Sequence, residues 1–449
     1  MKHPTVRVPD GAALNFERSD ALRSRAHELI PGGAHTYSKG DDQFPQLAPG
    51  FLVRARGSRT WDLDGNEFID WAMGLRSVIL GHADPGVLTA IKASLDSGSN
   101  FTRPSPIEVE VAELLHANVS SAEMVKFAKN GSDAVSGAVR LARAYTGRDL
   151  IARCAEQPFF AVHDWFIGDT ECNAGVPDAV RSLTKRFHYN DPDSLNALFD
   201  ENSGRIAAVV MEAASTDAPA PGFLEGVREL CTRTGTVLIF DEIITGFRWH
   251  ARGAQALFGV TPDLSAWSKG LANGFSISAL CGRRELMEMG GIRHNVDRVF
   301  LLSTTYGGET HHLAAARETA TRVFGGGVVE RIWEVGVQLK FGLRAAAEAA
   351  GIAEQARTLG FDCSPYQVFF DRDGRPSAEL RTLYLQEMVK AGILIPAIAP
   401  SAAHTTDDIE RTVAAAHSAM VTVRKALDAN STAGLLVGPA TKPVFRRRN

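Results

Sequence analysis

Residues 236–242, Thr236-Val-Leu-Ile-Phe-Asp-Glu242, join a short apolar run to two acidic residues. The run has the length and the composition of a strand that is buried on both faces. Similar apolar runs stand at 206–211, 264–267 and 277–281, and a helical stretch over 224–234 separates the first of them from the opening run. Buried strands that alternate with helices predict an α/β fold with a mostly parallel sheet.

Further elements are predicted on both sides of this region. Asp64-Gly65-Asn66 supplies residues that tolerate positive φ between apolar flanks, so residues 59–70 are predicted to form a β-hairpin. Periodic apolar positions and capping residues predict the helices 85–97, 107–118, 133–146, 328–350 and 407–428, with Gly147 ending the third and Thr405 or Thr406 capping the last.

Composition limits the class of protein. The chain has 449 residues and a net charge of −4, which does not favour a nucleic-acid-binding protein. Its five cysteines are far apart and odd in number, so we expect neither a disulfide framework nor a zinc site, and a reducing compartment fits. The N-terminus lacks the apolar segment of a signal peptide, and no apolar run is long enough to span a bilayer. We therefore expect a cytoplasmic enzyme with no membrane partner.

The two ends of the chain differ from its middle. After about residue 324 the sequence changes to Ala-rich helical stretches, which suggests two domains, or a large domain with a smaller one built from both ends. The segment from Asn430 is rich in Gly, Pro and small residues and closes with Arg446-Arg-Arg-Asn449. We predict a loosely held arm there; a patch for an anionic partner is the alternative.

Four polar groups stand at predicted element ends. Gly131 and Ser132 precede a helix, where free N–H groups and the helix dipole favour an anion; Ser132 or Asp133 could instead be an ordinary N-cap. Asp241 ends a buried strand, the edge at which α/β sheets bind ligands, or it caps the next helix. Lys269 follows another strand as a candidate nucleophile, or as a lysine whose stem lies along apolar surface. The loop 303–309 carries hydroxyls and paired glycines, which also suit an ordinary turn.

Taken together, the order of these groups suits pyridoxal 5'-phosphate. A lysine can bond the cofactor as a Schiff base, an aspartate can keep the pyridine nitrogen protonated, and a helix N-terminus can hold the phosphate. The spacing of Asp241 and Lys269 on successive strand ends matches this arrangement.

At these residues the chain resembles a class III aminotransferase of fold type I, most closely the branch that contains glutamate-1-semialdehyde aminomutase. The resemblance implies a large cofactor domain over 77–325, a smaller α+β domain over 1–76 and 326–449, and a homodimer with shared active sites. It rests on Pro31-Gly-Gly33, Trp61-Asp-Leu-Asp-Gly-Asn-Glu-Phe-Ile-Asp70, Leu80-Gly-His82, Asn130-Gly-Ser-Asp-Ala134, His163-Asp-Trp165, Asp241-Glu242, Thr245-Gly-Phe-Arg248, Ser268-Lys-Gly270 and Thr305-Tyr-Gly-Gly308.

The same resemblance implies roles for individual residues. Lys269 would bond the cofactor and shuttle protons, and Asp241 would pair with the pyridinium nitrogen. Thr305 would reach the phosphate of the neighbouring subunit. The remaining cofactor contacts would be Gly131, Ser132 and Asp133 at the phosphate, Ile243 and Phe159 at the ring, and Glu212 at a strand end near the cofactor.

Two departures from the family pattern bear on mechanism. Where the family usually has Tyr-His-Gly, this chain has Phe159-Phe160-Ala161, which keeps an aromatic face and loses the hydroxyl. The aminomutase carries an acidic residue in its C-terminal substrate loop, whereas 396–404 holds none. We therefore expect an aminotransferase that moves an amino group from a donor to a carbonyl acceptor such as an amino acid, keto acid or sugar-like compound.

Alternatives remain open at this point. An aminomutase or an amino-acid racemase or epimerase of the same fold would use the same cofactor groups, and a cofactor-binding regulator without turnover is a different class. The candidates for substrate contact are Tyr37, Arg76, whose guanidinium suits a carboxylate or phosphate, and Glu309. Glu309, His311 and His312 show no recognised metal-ligand spacing, so no metal is expected.

Overall fold

The computed structural model describes residues 14–448. Its contacts divide the chain into two compact units. Of the described residues, unit 1 comprises 14–75, 80–84 and 331–444, and unit 2 comprises 76–79, 85–330 and 445–448. The sequence placed these boundaries at 76 and 325 and assigned the whole C-terminal segment to the smaller domain, whereas by its contacts the segment from Phe445 belongs to unit 2.

Three sheets account for the strands among the described residues. Unit 1 holds a four-stranded sheet of order β1-β2-β3-β13 and a two-stranded one, β11-β12, and unit 2 holds a seven-stranded sheet of order β4-β10-β9-β8-β7-β5-β6. The strands are β1 (Leu52–Arg56), β2 (Arg59–Asp62), β3 (Glu67–Asp70), β4 (Met124–Ala128), β5 (Leu150–Cys154), β6 (Thr184–Phe187), β7 (Ile206–Met211), β8 (Val237–Asp241), β9 (Leu264–Trp267), β10 (Ser278–Gly282), β11 (Ala356–Leu359), β12 (Tyr366–Phe369) and β13 (Ile393–Leu394).

Helices cover much of the remaining chain. They are α1 (Glu17–Leu29), α2 (Met73–Arg76), α3 (Pro85–Leu95), α4 (Pro106–Asn118), α5 (Gly131–Thr146), α6 (Asp164–Ile167), α7 (Asp178–Arg181), α8 (Pro192–Glu201), α9 (Phe223–Thr234), α10 (Ala254–Phe258), α11 (Arg284–Met287), α12 (Thr310–Phe324), α13 (Val328–Ala349), α14 (Ala378–Lys390) and α15 (Thr406–Ala429), with short 3-10 turns at Pro31–Gly33, Tyr37–Lys39, Asp41–Gln43, Lys269–Ala272 and Glu288–Gly290.

The large sheet of unit 2 is mostly parallel, as predicted. Strands β6, β5, β7, β8 and β9 run parallel to one another. Strand β10 is antiparallel to both β9 and β4. Every residue of β5, β7, β8 and β9 is buried, which explains their continuous apolar sequences. The parallel strands therefore present their carboxyl ends at one edge of the sheet.

Several predicted elements are confirmed closely. The hairpin 59–70 forms from β2 and β3, with Thr60 opposite Phe68. Strands 206–211 and 264–267 have the predicted bounds, and α5 ends at Gly147 in a left-handed conformation. Three strands of the large sheet were not predicted, namely β4, β5 and β6. The run Leu150-Ile-Ala-Arg-Cys154 is as apolar as the predicted strands and could have been found.

The four-stranded sheet of unit 1 joins distant parts of the chain. Strand β3 pairs in parallel with β13, so that Ile69 lies opposite Ile393. A core of buried residues from α13, α14 and α15, including Leu339, Leu383 and Met420, packs in the same unit. No helix within residues 14–448 combines the length and the apolar character needed to cross a membrane.

Candidate active site

Helix α5 begins at the predicted anion cradle, and it begins earlier than predicted. Asn130 is the N-cap, since its Oδ1 accepts the N–H of Asp133 at 3.1 Å, and Asp133 Oδ2 accepts the N–H of Asn130 at 3.3 Å. The capping box thus uses Asp133, and the interpretation of Ser132 or Asp133 as the N-cap is wrong. The N–H groups of Gly131 and Ser132 have no hydrogen-bond partner within residues 14–448, so both remain available to an anion.

Gly131 lies against the strand that carries the acidic pair. A Cβ built on Gly131 would stand 2.4 Å from Cδ1 of Ile243, closer than side chains pack. The N–H of Ile243 donates to Asp241 Oδ1 at 2.9 Å. The helix N-terminus, Ile243 and Asp241 therefore line one compact site, and a larger residue at position 131 would have to displace Ile243.

We predict that Gly131→Ala displaces Ile243 and weakens binding of pyridoxal phosphate by about tenfold to a hundredfold, since overpacking costs about 1–3 kcal/mol. Titration of the cofactor-free protein measures this constant. Gly226→Ala is the matched control: Gly226 lies within α9, nothing stands near its built Cβ, and alanine there should stabilise the helix by about 0.5–1 kcal/mol. Unchanged binding in Gly131→Ala would contradict the role of this contact.

The two acidic residues at the end of β8 have different surroundings. Glu242 is fully buried, and its carboxylate accepts the N–H groups of Ala254 at 2.8 Å and Gln255 at 2.9 Å as well as the hydroxyl of Thr245. It therefore fixes the start of α10. Asp241 is only 3% exposed, accepts one hydrogen bond, from Ile243, and forms no ion pair with another described residue. A buried carboxylate of this kind fits a cationic ligand atom such as a pyridinium nitrogen.

Lys269 stands at the next strand end, in a left-handed conformation with φ 43°. Burial lowers the pKa of its ammonium from 10.5 to about 8, although the charges of Asp241 and Glu212 oppose this shift. Burial and the neighbouring Glu212 raise the pKa of Asp241 well above 3.8. Burial also raises the pKa of Glu212. The site therefore brings together an amine whose pKa is lowered and two carboxyls whose pKa values are raised.

Glu212 is held by its main chain. Gln157 Nε2 donates to the carbonyl of Glu212 at 2.8 Å, and Gln157 Oε1 accepts the N–H of Glu212 at 2.8 Å. Gln157 is not indicated by the local sequence pattern, because its partner lies 55 residues away. Phe159, two residues further on, is 43% exposed, so one of its faces is accessible.

Arg76 belongs to this group of charges. Its positive charge acts on both Glu212 and Lys269. It ends a run of four residues at positive φ, from Met73 to Arg76, of which only Gly74 adopts such angles without strain. Arg248 was not singled out from the sequence; its guanidinium is buried and Nη2 donates to the carbonyl of Arg76 at 3.3 Å.

The remaining candidates have other surroundings. Glu309 forms an ion pair with Lys129, whose Nζ also lies 2.7 Å from Nδ1 of His312. Atoms of Glu309, His311 and His312 that could bind a metal lie within 4.8 Å of one another. The carboxylate of Glu309 is already paired with the ammonium of Lys129. Thr305 is exposed, and its carbonyl accepts from Asn100 Nδ2 at 3.2 Å. Tyr37 is 68% exposed in unit 1.

This fold and this site define an enzyme that uses pyridoxal phosphate. Residues 39–406 match the family model for class-III aminotransferases. The chain belongs to the class III aminotransferase family.

Two curated relatives and one solved structure show the range of proteins to which it is similar. It is 33% identical to the glutamate-1-semialdehyde 2,1-aminomutase of Desulforamulus reducens, over 91% of this chain and 98% of that protein. It is 32% identical to the 3-aminobutyryl-CoA aminotransferase of Cloacimonas acidaminovorans, over 92% and 99%. The FumI protein of Sphingopyxis sp. MTA144, solved in its PLP internal aldimine form, superposes with a TM-score of 0.83 at 30% identity, over 92% and 97%. The expected fold type, enzyme class and cofactor are thereby confirmed.

Proposed function

We propose that this enzyme transfers an amino group between two separate molecules, an amino donor and a carbonyl acceptor. The observation that carries the proposal is the position of Lys269, whose amine has a pKa of about 8 next to Asp241 and Glu212 at the strand ends. An amine that is partly neutral near pH 7–8 can bond a carbonyl and can accept and return a proton.

The same geometry supports a set of cofactor contacts. Gly131 and Ser132 would hold the phosphate through their N–H groups, and Asp241 would hold the ring nitrogen as a cation. Ile243 and Phe159 would pack against the ring. Pyridoxal phosphate, when bound, supplies an electron sink for the substrate carbon attached to the amino group.

Three residues have narrower roles. Lys269 moves a proton between Nζ and that substrate carbon, for which its lowered pKa suits it. Burial raises the pKa of Glu212, and the charge of Glu212 adds to burial in raising the pKa of Asp241. Asp133 serves mainly through its capping box, which fixes the N–H groups of the preceding two residues.

An aminomutase is the second candidate, favoured by relatives with that name. Such an enzyme must retain its diamine intermediate, and the loop 396–404 offers no carboxylate for that purpose. In unit 1 this loop is tied down by His404, which stacks on Trp71 at 4.0 Å and whose Nδ1 lies 3.0 Å from the N–H of Ser401. The absence of an acidic group in this loop supports release of a keto product.

A half-reaction separates the two candidates. The loaded enzyme, mixed with one amino donor at a time, should convert its cofactor to pyridoxamine phosphate and release an equal amount of keto product. The absorption spectrum and chromatography of the released cofactor measure both. No conversion with any donor, together with isomerisation of an amino aldehyde, would refute intermolecular transfer in favour of the mutase; solvent deuterium in the α-position without transfer would favour a racemase.

The same screen identifies the substrate class. We propose that Arg76 binds an anionic group of the substrate. The positive charge of its guanidinium acts on both Glu212 and Lys269, and a guanidinium suits a carboxylate or phosphate. Arg76→Ala should raise KM for acidic donors by about tenfold or more and leave neutral amines unaffected. Equal changes for both donor types would contradict this role. Tyr37 and Glu309 remain predicted substrate contacts.

We also propose that the enzyme acts as a homodimer in which Thr305 serves the site of the other subunit. The exposure of Thr305 supports this, since its side chain is accessible to a second subunit. A monomeric mass in sedimentation equilibrium would contradict the proposal. The four buried free cysteines, Cys154, Cys231, Cys281 and Cys363, support a reducing, cytoplasmic location; recovery of the enzyme from a secreted or periplasmic fraction would contradict it.

A further inference from the structure

The C-terminal segment contributes an aromatic side chain to unit 2. Phe445 is partly buried and packs against the core that contains Phe160 and Phe166. The next residue also contacts unit 2, since the thiol of Cys172 donates to the carbonyl of Arg446 at 3.4 Å. Phe445 and Arg446 lie outside the segment 39–406 that matches the family model.

Phe445 is one of three rings that form an aromatic cluster, Phe159, Phe166 and Phe445. Phe445 lies 6.4 Å from Phe159 at an interplanar angle of 30°, and 6.2 Å from Phe166 at 81°. Phe159 meets Phe166 edge to face at 5.8 Å. Phe166 is fully buried, and the guanidinium of Arg153 lies 5.3 Å from its ring centre. The position of the Phe166 ring is therefore restricted by its surroundings. Phe445 and Phe166 therefore hold Phe159 from two directions.

The segment that carries Phe159 also contacts the anion cradle. The N–H of Val162 donates to Ser132 Oγ at 3.2 Å, and Trp165 Nε1 donates to Ser136 Oγ at 2.9 Å. Both acceptors are on α5. The position of the Phe159 ring thus depends on α5 at one end of its segment and on the aromatic cluster at the other.

We propose that Phe445 is a positioning residue that sets the orientation of the Phe159 ring. It thereby affects the affinity of the site for pyridoxal phosphate and the chiral environment of the bound cofactor. The proposal rests on the proposed role of Phe159 at the ring of pyridoxal phosphate. Phe159 stands where the family usually has a tyrosine, so it lacks a hydroxyl that could form a hydrogen bond and fix the ring. Contact with the ring of Phe445 orients Phe159 instead. The C-terminal segment is then part of the active-site structure and not a loose arm.

The test uses the full chain, freed of cofactor and titrated with pyridoxal phosphate. Phe445→Ala should raise Kd by about threefold to tenfold and reduce the visible circular dichroism of the bound cofactor. Phe445→Tyr keeps the ring and should restore both. Phe341→Ala is the matched control, because Phe341 is 75% exposed on α13 of unit 1, and it should change neither.

A double-mutant cycle shows whether Phe445 acts through Phe159. In a Phe159→Ala background, Phe445→Ala should have little further effect on Kd or dichroism. Equal effects in both backgrounds would overturn the proposal and indicate a merely structural role, as would a Phe445→Tyr variant as impaired as alanine. Both readouts depend on cofactor binding alone, so they remain informative if the enzyme proves to be a mutase.

Discussion

Lys269→Ala should abolish covalent attachment of pyridoxal phosphate and lower the rate of amino transfer by about 10³-fold or more. The variant loses both the amine that bonds the cofactor and the group that moves the proton, and general acid–base catalysis alone contributes about 10²–10⁴-fold. Borohydride reduction of the loaded enzyme, which makes the bond to the lysine permanent, followed by peptide mass spectrometry, should find the label at Lys269.

Lys92→Ala provides the control, because Lys92 is an exposed lysine near the end of α3. It should keep the label and the wild-type rate. The cofactor should still bind Lys269→Ala without a covalent bond, since the phosphate cradle and Asp241 are intact. Wild-type turnover by Lys269→Ala, or a label found at another lysine in the wild-type enzyme, would refute the assignment of this site.

Asp241→Asn should lower the rate of amino transfer by about 10²–10³-fold, because a neutral amide cannot hold the ring nitrogen as a cation. The same variant should make the cofactor-free protein more stable. Burial raises the pKa of Asp241 well above 3.8 in the folded chain, so folding favours the protonated carboxyl. The associated stability is fully present below the unfolded pKa and is lost as the pH rises through the folded pKa.

At neutral pH the asparagine variant avoids this loss, and we expect a gain of about 1–3 kcal/mol in the free energy of unfolding of the cofactor-free protein. The gain should shrink as the pH falls towards 4. Denaturant titrations of both proteins at several pH values measure it. A variant that is less stable than wild type at pH 7, or a difference independent of pH, would contradict the buried, unpaired state of Asp241.

The sequence predicted the parts of the fold that depend on local pattern. Strand β7 has its predicted bounds because Ile206–Met211 is buried throughout, and Gly147 ends α5 because it adopts φ 65°. The positions of Asp241 and Lys269 at neighbouring strand ends also followed, since the carboxyl ends of parallel strands meet at one edge.

Contacts between distant residues were beyond the sequence. Asp241 and Glu242 are adjacent and chemically alike. Only the folded structure shows that the carboxylate of Glu242 accepts the N–H groups of Ala254 and Gln255 at the start of α10. The start of α5 was missed by two residues, although the pattern Asn130-x-x-Asp133 is a capping signal. Nothing near Phe445 in the sequence indicates Phe159 as its neighbour.

The parallel pairing of β3 with β13 has a consequence for synthesis of the chain. Ile69 leaves the ribosome more than three hundred residues before its partner Ile393. At about 5–20 residues per second, the hairpin of β2 and β3 waits roughly tens of seconds for the strand that completes its sheet. During that interval the edge of β3 offers unpaired N–H and C=O groups to other strands. Expression at lower temperature or with chaperones should therefore raise the yield of soluble enzyme.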